Sequence, residues 1–167
     1  MLVRVETSSD IPAIRAVNDE AFGGPAEGVL VDALRREGLV MASLVAEDNG
    51  VVVGHILFSR VFIRSDSANV PAVALAPMAV VPARQRSGIG STLVRAGLDL
   101  CRNLGEQIVL VVGHPTYYSR FGFSHALTRA LQSPYDGEAF MALELVSGAL
   151  IHVSGEVRYS APFADCP

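Results

Sequence analysis

The sequence contains no lysine, because all thirteen of its basic residues are arginine. Lysine is the residue that forms Schiff bases and that clamps phosphate in the nucleotide P-loop. Both kinds of chemistry are therefore excluded. Any phosphate group that this chain binds must be held by backbone amides, hydroxyl groups or arginine.

Cysteine and long apolar runs are also scarce. The two cysteines, Cys101 and Cys166, lack the spacing of a disulfide framework or a metal site. The longest apolar stretches, VVVGHILF and VALAPMAVV, have the length of strands and are too short to span a membrane. The first residues carry charges and lack a continuous apolar region, so we expect no signal peptide. These features predict a soluble cytoplasmic protein without a metal.

Charged residues make up only 18% of the chain, and the formal net charge is −4. Half of the residues are apolar, which argues against disorder. Nucleic-acid binding relies on positive charge facing phosphates, so the acidic balance argues against that class of partner. The 167 residues contain no repeat or linker, and we expect one domain, 1–167, with a buried core.

Apolar periodicity predicts three helices. The first begins at Ser9 or Asp10, the second covers 26–37, and the third extends from Gly90 to Gly105. The residues expected to face the core are Ile11, Ile14 and Val17 in the first helix, Val29, Leu30, Ala33 and Leu34 in the second, and Leu93, Val94, Leu98, Cys101 and Leu104 in the third.

Apolar strands surround these helices. They include 2–5, two strands joined by a turn at Asn49–Gly50, a long strand over 72–81 and the continuously apolar QIVLVV. Pro77 predicts a break in the hydrogen-bond ladder of the long strand, because proline has no N–H. A short helix or turn in HPTYYSRFGF leads into a further strand, 128–139 is irregular, and FMALEL, ALIHVSG and EVRY are the last strands.

The segment QRSGIGST, residues 85–92, connects a strand to the third helix. Its glycines, Gly88 and Gly90, let backbone N–H groups approach a ligand, and the helix N-terminus attracts anions. A dinucleotide-binding motif would need a small residue in place of Leu93. The loop is therefore either an anion site of another kind or an ordinary strand-to-helix turn.

Two motifs favour the anion site over the ordinary strand-to-helix turn. The pattern Q-x-x-G-x-G follows a strand that ends in MAVVP, and YYSRFGF lies downstream at 117–123. In this order and separation they resemble the GNAT superfamily of coenzyme A-dependent acetyltransferases, and in particular a bacterial branch of predicted N-acetyltransferases. The resemblance covers nearly the whole chain. It implies an α/β fold with a mixed, mostly antiparallel twisted sheet, helices on both faces and a splayed central pair of strands.

The resemblance also implies a site for coenzyme A. The diphosphate would lie on the glycine loop, with Arg84 and Arg86 supplying positive charge. The pantetheine arm would run beside the strand that ends near Val81, in a slot next to QIVLVV. The residues assigned to the cofactor are Met78, Ala79, Val80, Val81, Gln85, Arg86, Ser87, Gly88, Ile89, Gly90 and Ser91. The asparagine that the family often has after its fifth strand is missing, and His114 is either a substitute or a polar cap.

Tyr118 occupies the position of the family's usual proton donor in Y-x-x-x-G-F. A phenol, with an ordinary pKa of about 10, can protonate a departing thiolate. The alternative is a tyrosine that only packs. Tyr117 is expected to pack or to line the cofactor slot, and Phe121 and Phe123 are expected in the core.

The general base is left open. Glu20 and Glu27 lie near the loop where this family receives its acceptor, and Glu144 stands within FMALEL. Each of these carboxylates could instead face solvent, and water could serve as the base. His55 in VVVGHILF is interpreted as a core histidine.

The sequence thus predicts transfer of an acetyl group from acetyl-CoA to a primary amine of a small molecule or peptide. The acidic surface favours a cationic acceptor such as a polyamine, an aminoglycoside-like compound or a peptide amine. Two alternatives remain, a non-catalytic acyl-CoA sensor and an acyltransferase with a longer acyl donor. The family often forms dimers, so a homodimer is a candidate assembly.

Overall fold

The computed structural model describes residues 1–165, so Cys166 lies outside the described part. The helices are α1 (Ile11–Phe22), α2 (Ala26–Arg36), α3 (Ile89–Asn103) and the single turn α4 (Pro115–Tyr118). The strands are β1 (Leu2–Val5), β2 (Val40–Asp48), β3 (Val51–Arg64), β4 (Asn69–Val80), β5 (Ile108–Val112), β6 (Leu131–Gln132), β7 (Phe140–Glu144) and β8 (Gly155–Arg158). None of the described helices combines the length and the hydrophobicity that a membrane span needs.

The strands of the described part form one twisted sheet in the order β1-β2-β3-β4-β5-β7. All neighbours along this path are antiparallel except β4 and β5, and β8 joins the far end of β3 and pairs with β6. The β2–β3 hairpin turns at Asn49 and Gly50, which both have positive φ. The predicted mixed, mostly antiparallel sheet is confirmed.

Side chains alternate along each strand between two cores, one on each face of the sheet. On β5, Val109 and Val111 pack with α3, whereas Ile108 and Leu110 pack with α1 and α2. The third helix and the single turn α4 lie on one face, and the first two helices cover the other. Helices on both faces were expected, and this arrangement confirms them.

The parallel strands β4 and β5 separate after a short contact. They pair only at Val73–Val109 and Ala74–Leu110, although both strands continue further. Immediately beyond, the β3–β4 register shifts around Ala76 and Pro77, where the ladder is interrupted. The break predicted at Pro77 and the splayed pair of strands are both confirmed. The separation leaves a slot between the carboxyl ends of β4 and β5.

The predicted face of α2 is partly wrong. Val29 is 48% exposed, and Val31 takes a place in the core instead. At Gly28 this helix lies close to α1, because a Cβ there would lie 2.4 Å from Cδ of Arg15. The two helices therefore touch at Gly28, and Val29 turns towards solvent.

Three predictions near chain reversals are also wrong. Leu104 is 52% exposed because it follows the last turn of α3. The proposed strand ALIHVSG consists of turns and irregular residues up to Ser154, and β8 begins only at Gly155. The strand expected after YYSRFGF is reduced to one bridge between Ser124 and Ala142.

Candidate active site

The glycine loop presents a row of backbone N–H groups. Gly88 has a φ of 88° and immediately precedes α3, a conformation that side chains rarely adopt. The N–H groups of residues 86–91 donate to none of the described residues. They are therefore available to an external acceptor at the N-terminus of a fifteen-residue helix.

Side chains of the loop hold its shape. The Nε2 group of Gln85 donates to the carbonyl of Val80 over 2.9 Å, which fastens the loop to the end of β4. The hydroxyl of Ser87 donates to the carbonyl of Arg84 within the loop. Gln85 and Ser87 are thus committed to the loop itself, and Ser87 offers an external anion its N–H group alone.

A groove of about 480 Å³ lies along this loop, and we call it the loop groove. It is bordered by Met78 and Val80 of β4, by Gly90 and Ser91 of α3 and by Tyr117, among others. Oγ of Ser91 lies 3.3 Å from Oη of Tyr117. The predicted placement of Tyr117 along this groove agrees with the structure.

Three arginines border the loop groove: Arg84, Arg86 and Arg120. No acidic residue of the described part lines it. Arg84 is paired with Asp48 at 2.8 Å, while the guanidinium of Arg120 lies 4.6 Å from the ring centre of Tyr117. The groove is therefore locally positive in a protein whose formal net charge is −4.

A second cavity of about 370 Å³ occupies the slot between β4 and β5, and we call it the slot pocket. Residues 74–78 and 110–112 form its sides, together with Tyr118. Phe22 and Met78 line both cavities, so the loop groove and the slot pocket adjoin. An extended ligand lying in the groove can therefore reach the pocket.

Tyr118 is packed against the floor of the slot pocket. Only 8% of its surface is exposed, and its ring contacts Gly113 and the ring of Phe123. Its hydroxyl forms no hydrogen bond with the described residues. Burial, assisted by the neighbouring Tyr117, raises the pKa of Tyr118 to about 12. The phenol therefore keeps its proton at neutral pH.

The three candidate carboxylates occupy very different positions. Glu27 lines the slot pocket, whereas Glu20 is exposed and lines neither cavity. Glu144 accepts the N–H of Leu150 over 2.8 Å and pairs with Ile108, at the end of β5 away from the pocket. The expectation that Glu20 or Glu144 faces the acceptor is therefore corrected, because the fold directs both elsewhere.

The histidines lie outside both cavities. His55 is fully buried between Oγ of Ser43 at 2.9 Å and Nδ2 of Asn18 at 3.1 Å. Burial, followed by the charge of Arg35, lowers the pKa of His55 to about 3, so the ring is neutral. The interpretation of His55 as a core histidine is confirmed. His114 is exposed, and its carbonyl accepts the N–H groups that begin α4.

Comparison with known proteins decides the family. The family model described as "Acetyltransferase (GNAT) domain" matches residues 3–126 of the chain. The chain belongs to the GNAT acetyltransferase family. This membership confirms the resemblance and the enzyme class that the sequence predicts.

Relatives of this GNAT chain match it over nearly its full length. It is 37% identical over 166 residues to the "Uncharacterized N-acetyltransferase YhbS" of Escherichia coli K12, covering 98% of each chain. The crystal structure of YhbS from Escherichia coli in complex with CoA has a TM-score of 0.90 at 36% identity and covers 98% of this chain and 91% of that one. A GNAT acetyltransferase from Brucella melitensis in complex with acetyl-CoA has a TM-score of 0.81 at 36% identity, covering 97% of each chain.

Several residues of this GNAT site escaped the sequence-based prediction. Arg120 lies three residues after Tyr117, and that spacing on a helical turn could have revealed it. Tyr135, Tyr159 and Phe163 line the slot pocket from irregular or terminal segments, where no local pattern marks them. All four tyrosines of the chain line one of the two cavities. Within the described residues, no cluster of His, Cys, Asp or Glu could hold a metal ion.

Proposed function

We propose that this GNAT chain transfers an acetyl group from acetyl-CoA to a primary amine, with Tyr118 as the proton donor. One observation carries the proposal. A positive, amide-lined groove adjoins a pocket lined by Tyr118, whose ring is largely buried and whose hydroxyl has no hydrogen-bond partner among the described residues. The groove suits the cofactor, and the pocket suits the reacting groups and the acceptor.

The first argument for binding of the cofactor comes from the glycine loop. Backbone N–H groups of residues 86–91 and the N-terminus of α3 suit a diphosphate, and Arg86 and Arg120 add charge. Gly90 leaves this part of the groove free of a side chain, since a Cβ there would lie 3.1 Å from Oη of Tyr117 and 3.2 Å from Cε of Met78. The CoA complex of YhbS and the acetyl-CoA complex of the Brucella melitensis enzyme support this assignment.

The fit of the pantetheine arm rests on the free edge of β4. The N–H of Val81 donates to the carbonyl of Val53 in β3 over 3.0 Å. Because strand residues alternate, the backbone groups of Met78 and Val80 face the opposite side, which is the slot. An amide-containing chain can therefore add to this edge as an extra strand would. Of the predicted residues from Met78 to Val81, Met78 and Val80 are therefore the two whose backbone groups suit that role.

Acetyl-CoA, when bound, supplies an acetyl thioester that a neutral amine can attack. Tyr118 holds a proton at Oη and delivers it to the departing sulfur. Glu27 is the carboxylate placed to accept the proton that the amine loses. Apolar side chains around the slot, such as Leu75 and Val111, limit the access of water.

The experiment is a screen of an amine library with acetyl-CoA, followed by Tyr118→Phe on the best acceptor. We expect kcat to fall by roughly 100-fold or more, while the affinity for CoA measured by calorimetry stays unchanged. Tyr117→Phe is the matched control, because it removes a hydroxyl from the loop groove and leaves Tyr118 in place. Equal turnover of Tyr118→Phe and the native chain would show that Tyr118 is not the donor. CoA binding without turnover of any amine would instead favour the sensor.

A further inference from the structure

The slot pocket has an aromatic wall that is built outside the matched family domain. Tyr135, Tyr159 and Phe163 line the pocket, and all three follow residue 126, where the family match ends. The Tyr135 and Tyr159 rings meet edge to face at 5.0 Å, and Tyr159 lies 5.4 Å from Phe163. The hydroxyl of Tyr135 also donates to the carbonyl of Phe163 over 3.4 Å. The three rings therefore form one connected cluster.

The charge of the slot pocket restricts what it can bind. Among the described residues that line it, Glu27 is the only charged one. A polyamine or an aminoglycoside carries several ammonium groups, and each would need an acceptor or a counter-charge once it leaves water. The pocket therefore suits a ligand with a single amine, and the rest of that ligand must be apolar. A single amine keeps the cationic acceptor that the acidic surface favours, but it is a different choice from a polyamine or an aminoglycoside-like compound.

The size of the slot pocket also favours a small ligand. Its volume of about 370 Å³ lies at the small end of small-molecule sites, and the acceptor has to share this space with the pantetheine arm beside β4. Rings that already meet edge to face present both faces and edges to a further ring. An aliphatic chain would bury area against them but would not gain this directional contact.

We propose that the acceptor is a primary monoamine carried on a short chain with an aromatic ring, an arylalkylamine. This inference rests on the proposed acetyl transfer. The ring of the acceptor packs against Tyr135, Tyr159 and Phe163, and its amine lies on the side of Tyr118 and Glu27. The amine nitrogen forms a bond to the acetyl carbon as the carbon–sulfur bond breaks. The amine proton leaves to the base, and the sulfur takes a proton from Tyr118.

The test compares four acceptors at saturating acetyl-CoA, with the release of CoA as the readout. The acceptors are 2-phenylethylamine, hexylamine, spermidine and a short peptide with an N-terminal phenylalanine. We expect kcat/KM for 2-phenylethylamine to exceed that for hexylamine by roughly tenfold, and that for spermidine by more. Preferential acetylation of spermidine, hexylamine or the peptide would overturn the inference.

Variants of the aromatic wall provide the second arm. Tyr159→Leu should raise KM for 2-phenylethylamine by roughly tenfold and change kcat little. Tyr159→Phe, which keeps the ring and loses the hydroxyl contact with Ser133, should recover most of that loss in affinity. Tyr135→Leu gives the same comparison if Tyr159→Leu does not fold. An unchanged KM in a folded Leu variant would overturn the inference. A chain that binds acetyl-CoA and acetylates another amine contradicts this inference alone, whereas a chain that binds no CoA contradicts the proposed function as well.

Discussion

Gly113 and Tyr118 are in direct contact at the end of β5, where a Cβ on Gly113 would lie 2.4 Å from Cε2 of the tyrosine ring. Because Gly113 has no side chain, the ring of Tyr118 can pack directly against the backbone at the end of the strand. The position of the proposed proton donor depends on a neighbour that performs no chemistry itself.

Gly113→Ala is expected to displace the ring of Tyr118 and to lower kcat by roughly 10- to 100-fold, because small misplacements of a reacting group are costly. The affinity for CoA should change little, since Gly113 does not line the loop groove. Steady-state kinetics and calorimetry measure the two effects. The double variant with Tyr118→Phe should lose no more activity than Tyr118→Phe alone. Additive losses would mean that Gly113 acts through another residue.

Arg120→Ala is expected to weaken CoA binding by roughly tenfold, because a charged partner of the phosphates is lost. The difference should shrink as salt is added, since the side chain is exposed. Arg129→Ala is a close control: both arginines donate Nε to the carbonyl three residues earlier, but Arg129 lines neither cavity. Titration of CoA by calorimetry at two salt concentrations measures both variants. Equal affinities for the two variants would remove Arg120 from the site.

The dependence of kcat/KM on pH should reflect the raised pKa of the Tyr118 phenol. Because the pKa of Tyr118 is raised to about 12, its proton remains in place across the working range. We expect kcat/KM to rise with pH as the free amine loses its proton, with no decline below about pH 10. Measurements with one amine across this range test the expectation. A decline near neutral pH in the native chain that Tyr118→Phe abolishes would contradict the raised pKa.

His55 makes the stability of the fold depend on pH. Its pKa is lowered to about 3 in the folded chain, while an unfolded histidine titrates near 6.5. Between these values the unfolded chain binds the extra proton, so the free energy of unfolding falls as the pH falls. The slope due to His55 approaches about 1.4 kcal/mol per pH unit. The stabilisation is complete above the unfolded pKa and is lost progressively towards pH 3.

The free energy of unfolding measured with urea should therefore be lower at about pH 5 than at about pH 7, by roughly 2 kcal/mol because of His55. His55→Gln keeps an amide for Ser43 and Asn18 but does not titrate in this range. Its loss of stability between the two pH values should be smaller by that amount. An identical loss in both chains would assign the pH dependence to carboxylates instead.

Much of the framework was predictable because it depends on neighbouring residues. Proline at position 77 lacks an N–H wherever the strand lies, and the sequence Asn49–Gly50 favours a tight turn by itself. The two glycines at 88 and 90 mark a close backbone approach in the same local way. Alternation and helical periodicity then predicted most of the buried residues, and they failed at Val29 and Leu104, where helix packing and a helix end determined exposure.

The candidate site shows the same distinction between features set by neighbouring residues and features set by tertiary packing. The sequence alone determined the loop, the strand that ends near Val81 and the motif that contains Tyr118, since each is a continuous stretch with its own conformational preference. Only the tertiary structure decided that Glu27 lines the slot pocket while Glu144 caps a turn, and that Tyr135, Tyr159 and Phe163 meet there. The physical reason is that these side chains come from distant segments. Their convergence depends on the separation of β4 from β5 and on the packing of the last residues against it, which no short stretch of sequence contains.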